Sequence, residues 1–264
     1  MYAIVLHAHQ KLDRVARRHL GQLLPPDALF PTARQITHFE GSQGPDGANL
    51  KRQKNGEQPW HFVDPYDVTD TDLNDQLTFH YDELVKNLRQ RDRVRAAFDA
   101  AWLAHALVDG LTPAHHYPYE QELADLRGGQ VRHTRKGLAG RLYVKADTIV
   151  ESVQHSLKLV GPGGLLTNHA MFEAGAYTII VPLRLNAGRP SSSELEHIVN
   201  DGIVAVFNQL VQEVAALKIY DRFMARGWTY SVSRDVRRQL APRMVRMITL
   251  AWYAAYHEAA SEPA

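Results

Sequence analysis

The chain has 264 residues and no cysteine. That excludes disulfides and iron–sulfur ligation, and leaves His, Asp and Glu to hold any metal, a donor set that suits zinc or a harder ion. A strong charge of either sign is missing too. Thirty Lys and Arg stand against 29 Asp and Glu, a formal +1, so no bulk field advertises nucleic acid or an acidic membrane as partner. Long apolar runs are absent near the N-terminus. "MYAIVLHAHQKLDRVARR" offers only "AIVL" before histidines and charges, too short for a signal-peptide core or a membrane span, which predicts a cytoplasmic chain. Period-two alternation is scarce, confined to short strand signals at 2–6 and near "TIIVPLRL". No G-x-S-x-G or P-loop string is present.

Histidine, by contrast, is abundant at 14 residues, within an otherwise ordinary soluble composition of 45% hydrophobic and 22% charged residues. Helical periodicity dominates. Residues 9–24 place Leu12, Val15, Ala16, Leu20 and Leu23 on one face, and "PP" at 25–26 ends the run. Residues 27–67, rich in Gly, Pro, Asn and Asp, read as a long loop. Helices are predicted at 70–91, 93–111, 114–127, 141–160 and 169–182. A Ser191/Glu194 capping box opens a helix to about 217, and a last helix spans 232–260. The expectation is an all-α fold in one domain.

"HALVDGLTPAHH", 105–116, carries the densest chemistry. His105 and Asp109 are four apart, so a helix stacks them on one face within reach of one ion. Pro113 turns the chain and brings His115 round. "NHAMFE" repeats the pattern with His169 and Glu173, and such His/carboxylate pairs are how helical proteins build metal sites in their cores. "PWHFVDPYD" adds His61, and "HAHQKL" adds His7 and His9. Any one pair alone is equally well explained by a helix-surface ion pair. His19, His38, His80, His116, His133, His155, His197 and His257 show no partner pattern and read as ordinary histidines.

The string His105-x-x-x-Asp109-x-x-x-Pro113-x-His115 resembles the signature of the zinc-dependent phospholipase C family, which includes the fungal-type single-strand-specific nucleases. "HFVDPYD" is similar to the segment in which a zinc-binding histidine opens an HF-x-DP run. His169-x-x-x-Glu173 resembles the later His-x-x-x-Glu pair of the phospholipases, and His9 the first-helix histidine. The resemblance covers ligand segments from residue 9 to 173; the C-terminal third matches nothing in it. It implies one zinc on His61, His105 and Asp109 with a loop acid, Asp46 in "GPDG" first and Glu40 second. A second zinc would take His115, His169 and Glu173, and Asp109 would bridge to a third near His9. The family completes that third site with an N-terminal tryptophan, which has no counterpart before His9 here and leaves His7 as the substitute. The stretch from His115 to His169 is longer than the family pattern, so 117–165 reads as an inserted helical arm carrying the basic run "RHTRKGLAGRLYVK".

Five neutral imidazoles and three carboxylates contribute −3, and three divalent ions would leave roughly +3, an attractor for a phosphodiester. The resemblance thus implies a phosphoester hydrolase using zinc-activated water, with Asp46 as proton acceptor. Phospholipid head group, nucleic acid and small phosphodiester are the substrate classes. The rival expectation is a helical binding module whose zinc is purely structural, every ion closed by protein ligands.

Overall fold

A computed structural model describes residues 2–40, 44–45, 62–67, 69–116, 151, 154, 157–158 and 161–261, with side chains from residue 8 onward. Its helices are α1 (Tyr2–Leu20), α2 (Ala33–His38), α3 (Asp72–Arg89), α4 (Arg93–Gly110), α5 (Leu165–Ile180), α6 (Ser192–Asp201), α7 (Ile203–Ala216), α8 (Ile219–Arg226), α9 (Tyr230–Asp235) and α10 (Ala241–Ser261). A π-helical turn at Val236–Leu240 joins α9 to α10, and 3₁₀ turns lie at Pro113–His115 and Asn186–Gly188. Among the described residues there is no strand, so the fold is all-α. The short strands expected at 2–6 and near "TIIVPLRL" are corrected: 2–6 and 178–180 are helical and 181–185 is turn and irregular backbone, because a four-residue apolar run looks the same in either period.

The core is organised around α4. Asp92 caps it, its carboxylate accepting from the backbone N–H groups of Val94 and Arg95. Small residues then fill its length, with Ala96, Ala97, Ala100, Ala101, Ala104 and Ala106 all buried. α4 therefore has almost no wet face after its first turn. Its most extensive partner is α3, and α10, α2 and α1 also pack on it. Trp252 of α10 is fully buried and its indole N–H donates to the Ala100 carbonyl at 3.0 Å, tying the last helix to the middle of α4. Midway along α4, Asp99 accepts from Asn87 and faces His80 Nδ1, each at 3.0 Å, which satisfies a buried acid within the protein. At its end, Gly110 is packed so closely that a Cβ would lie 2.4 Å from Phe207 and 2.6 Å from Leu73. The backbone after Asp109 is thereby pinned against α7 and α3.

Other differences from the sequence expectation have local causes. The helix expected from 191 to 217 is two helices, because Gly202 at φ 82° breaks it between α6 and α7. α5 begins at Leu165 rather than 169, about one turn earlier. α2 and α8 were not foreseen, although Thr32 and Gln35 form a capping box. Most of the predicted helices at 114–127 and 141–160, and most of the inserted arm, lie outside the described residues; 113–115 is a 3₁₀ turn, and 151, 154 and 157–158 are helical. One stretch, 203–226, reaches a mean hydropathy of 1.2, the margin at which length and composition would permit a membrane crossing, and it sends Phe207, Val211 and Val214 into the core.

The Ser191 box forms as expected. Glu194 accepts from Ser191 at 2.8 Å and from Arg246 of α10 at 2.9 Å. Burial opposes its charge, but these hydrogen bonds and the guanidinium outweigh that and hold the carboxyl below its ordinary value. A depressed folded pKa stabilises the fold at neutral pH and loses that effect as pH falls through it. Ser191→Ala is expected to cost about 1 kcal/mol in urea unfolding at pH 7. Glu194→Gln should be less stable than wild type at pH 7, the gap closing on acidification. Gly110→Ala should cost more than the cap, about 1–3 kcal/mol, from overpacking against Phe207.

Candidate metal centre

Two helices supply the first group. α1 buries Leu12, Val15, Ala16 and Leu20, and the same apolar face carries His9 and Asp13 inward. α4 delivers His105 and Asp109, one turn apart and both buried. His9 Nε2 lies 3.6 Å from Asp109 Oδ1, and His105 Nε2 lies 3.3 Å from Asp109 Oδ2. The His9 and His105 rings stack at 4.0 Å with planes 12° apart. On the other edge of His105, Nδ1 faces Glu40 Oε2 at 3.3 Å. Donation from Nδ1 to Glu40 would make Nε2, which faces Asp109, the ligating nitrogen, the usual arrangement behind a metal-bound histidine.

The second group lies beyond Asp109. Leu111 closes α4, Thr112 accepts the backbone N–H of His115, and the 3₁₀ turn swings the His115 ring towards α5. Glu173 Oε1 is 3.0 Å from both His115 Nε2 and His169 Nε2, and the two rings are parallel at 5.0 Å. Phe62 packs on these rings at 5.2 and 6.2 Å, and Val63 N–H donates to the His115 carbonyl. His115 Nδ1 points back to Asp109 Oδ1 at 4.0 Å. Asp109 therefore stands between the groups, facing imidazoles of both.

Both groups can hold a metal ion: in each, the three donor atoms lie within 4.8 Å of one another. Ligands about 2.0–2.1 Å from a tetrahedral ion sit about 3.3 Å apart, and the separations here run from 3.0 to 3.6 Å. The two groups differ in access. His9, His105 and Asp109 are buried, whereas the Glu173 side chain keeps 24% of its surface exposed.

The electrostatics answer to this crowding. Burial disfavours a charged His105, yet Asp109 and Glu40 on its two edges outweigh burial and raise its pKa well above the ordinary value. Burial likewise opposes charge on His169, and Glu173 reverses it, raising that imidazole. Glu173 is held well below the usual carboxylate range by His169 and His115 despite its own burial. His116 goes the other way. Burial pushes it down to about 4, so the ring is neutral and donates from Nε2 to the Gly110 carbonyl.

The structure brings together His9, His105, Asp109, His115, His169 and Glu173 of the predicted ligands, and it seats Glu40, the second-choice acid, on His105. His9 joins His105 and Asp109 in one group rather than standing at a separate position. Asp46 and His61 lie outside the described residues, as does the His7 side chain. Asp13 was missed. It is 1% exposed, and neither carboxylate oxygen has a hydrogen-bond partner among the described residues. Burial and then Glu40 push its carboxyl well above the ordinary value. Its signal was in the sequence: Asp13 follows His9 by four on an apolar face, the spacing of the other two pairs.

No family model matches the chain, nor does any curated protein or solved structure.

Elemental analysis of the purified chain is expected to find at least two divalent ions. Asp109→Ala should lose most of both, since it faces both groups. His169→Ala should lose the ion of the second group alone. Equal losses in the two variants would contradict the placement of Asp109 between them.

Proposed function

We propose that the chain is a metal-dependent phosphoester hydrolase, with zinc as the resident ion and a fold like that of the zinc-dependent phospholipases C. The observation that supports this reading is Asp109, a buried carboxylate whose Oδ1 faces His9 and His115 and whose Oδ2 faces His105. Adjacent His/carboxylate groups sharing one acid are the donor set of a two-metal hydrolytic site. Zinc bound there would polarise a phosphoryl oxygen and bring the pKa of water towards ~7.

The protein's own residues would do the rest. Glu40, through His105 Nδ1, holds that imidazole in one tautomer and one orientation. Asp109 Oδ1 lies 4.0 Å from His115 Nδ1, which puts its charge beside the second group. Phe62 covers the His115 and His169 rings and excludes water from that side. The exposed part of Glu173 marks the side from which a phosphate could approach. That opening favours catalysis over the rival binding module, because structural zinc sites are closed by protein ligands and catalytic ones keep a position free. Asp46 would serve as proton acceptor in this reading, and phospholipid head groups, nucleic acid or small phosphodiesters would be the substrates.

The test is hydrolysis of bis-p-nitrophenyl phosphate by the zinc-loaded chain, with and without a chelator. Chelation should abolish turnover and added zinc restore it. Glu173→Gln should lower kcat/KM on the order of a hundredfold. A fully metal-loaded chain inert on phosphodiesters, with Tm falling when the metal is stripped, would instead support the structural-zinc reading.

A further inference from the structure

Away from the metal groups, α2 and the start of α4 enclose a cleft of about 350 Å³ lined by Arg34, Gln35, His38, Phe39, Val94 and Ala97. Its walls differ in chemistry. Phe39, Val94 and Ala97 are apolar, and Phe98 backs Phe39 edge-on at 5.7 Å. Val94 is 65% exposed, a wet apolar side chain that an occupant would cover. The polar wall belongs to α2, where Arg34 and His38 stand one turn apart on one face. Every polar side chain there can donate. The Arg34 guanidinium makes no hydrogen bond or ion pair among the described residues. The Gln35 carbonyl oxygen is spent on Thr32, which leaves its amide N–H groups. His38 has a ring N–H in either tautomer and stands edge-on to Phe39 at 5.0 Å. No carboxylate lines the cleft. Asp92, next to α4, is taken up by the backbone N–H groups of Val94 and Arg95 and lies between Arg91 and Arg93 in the chain.

We propose that this cleft binds a small amphipathic anion, a single aromatic ring carrying one carboxylate or phosphoryl group. A guanidinium with no partner of its own matches the two oxygens of such a head group as a fork, and Gln35 and His38 add neutral donors beside it. The ring would rest on Phe39, Val94 and Ala97, where offset or edge-on contact with an aromatic side chain adds to simple burial. The volume is at the small end of ligand pockets, which suits one ring with a short arm. None of the six lining residues belongs to either metal group, so the proposal does not rest on the hydrolase reading. The two places are nonetheless close along the chain: Phe39 lines the cleft, and Glu40, the next residue, turns inward to His105 Nδ1 at 3.3 Å.

The probes are phenylacetate and benzylphosphonate, with neutral 2-phenylethanol and inorganic phosphate as controls, titrated against the full chain by saturation-transfer NMR. Both anions are expected to bind with Kd on the order of a millimolar or below, and both controls at least tenfold more weakly. Arg34→Ala, which removes the fork, and Val94→Glu, which sets a like charge on the apolar wall, should each weaken the anions at least tenfold. Both side chains are exposed, so both variants should melt like wild type, which shows that they fold. His169→Ala, altered in the second metal group, should bind the anions as wild type does. Affinity unchanged in Arg34→Ala, or 2-phenylethanol binding as well as the anions, would overturn the proposal and leave an apolar dent in the surface. Binding lost in His169→Ala and kept in Arg34→Ala would overturn it too, placing the anions on the metal. So would no binding of either anion at about 10 mM, well above the expected Kd. A chain that holds no zinc yet binds the anions through Arg34 would sink the hydrolase reading and leave this one standing.

Discussion

Burying acid in a helical core is the constraint from which the rest of this structure follows. Asp13, Glu40, Asp99 and Asp109 are each 4% exposed or less. A carboxylate taken out of water is tolerated only with partners that answer its charge. Asp99 finds its answer in Asn87 and His80. Asp109 finds imidazoles from α1, α4 and the 3₁₀ turn, and those imidazoles dictate where α1 and α5 must pass. The bundle is arranged around its acids as much as around its leucines.

That arrangement explains what sequence could foresee. His105 with Asp109, and His169 with Glu173, are i, i+4 pairs whose proximity is settled within a single helix, so spacing alone located them. The Ser191 capping box is equally local. The resemblance has Asp109 bridge to an ion near His9; its approach to His115 of the second group was not legible, because it depends on how a turn at Pro113 is aimed at a helix fifty residues on. Glu40 ranks second to Asp46 in the resemblance, because no local spacing links it to His105, 65 residues on. Asp13 stands among Leu12, Val15 and Ala16 on the buried face of α1, four residues after His9. Buried acids at helical spacing from a histidine are the signal, wherever they fall.

Misread boundaries have the same flavour. Gly202 interrupts an apolar pattern that is otherwise continuous, so periodicity runs through it while the backbone, at φ 82°, does not. The π turn at Val236–Leu240 sits inside one uninterrupted stretch of helical sequence. Composition hid α2, which lies inside a segment dominated by loop formers, although its Thr32/Gln35 cap was present. In each case a single backbone event outweighed a pattern spread over many side chains.

The alanine-lined surface of α4 has a mechanical consequence. Large side chains on a helix act as teeth that permit alternative meshings with a neighbour; methyl groups do not, and they bring backbones so close that sliding is blocked by main-chain atoms instead. With Trp252 latched to the Ala100 carbonyl and Gly110 lodged against Phe207, α4 is fixed at its middle and its end like a key held at two wards. His105 and Asp109 ride on the segment between those two points. Their positions are thus inherited from main-chain packing, and the centre keeps its shape without asking the charged side chains to supply the rigidity.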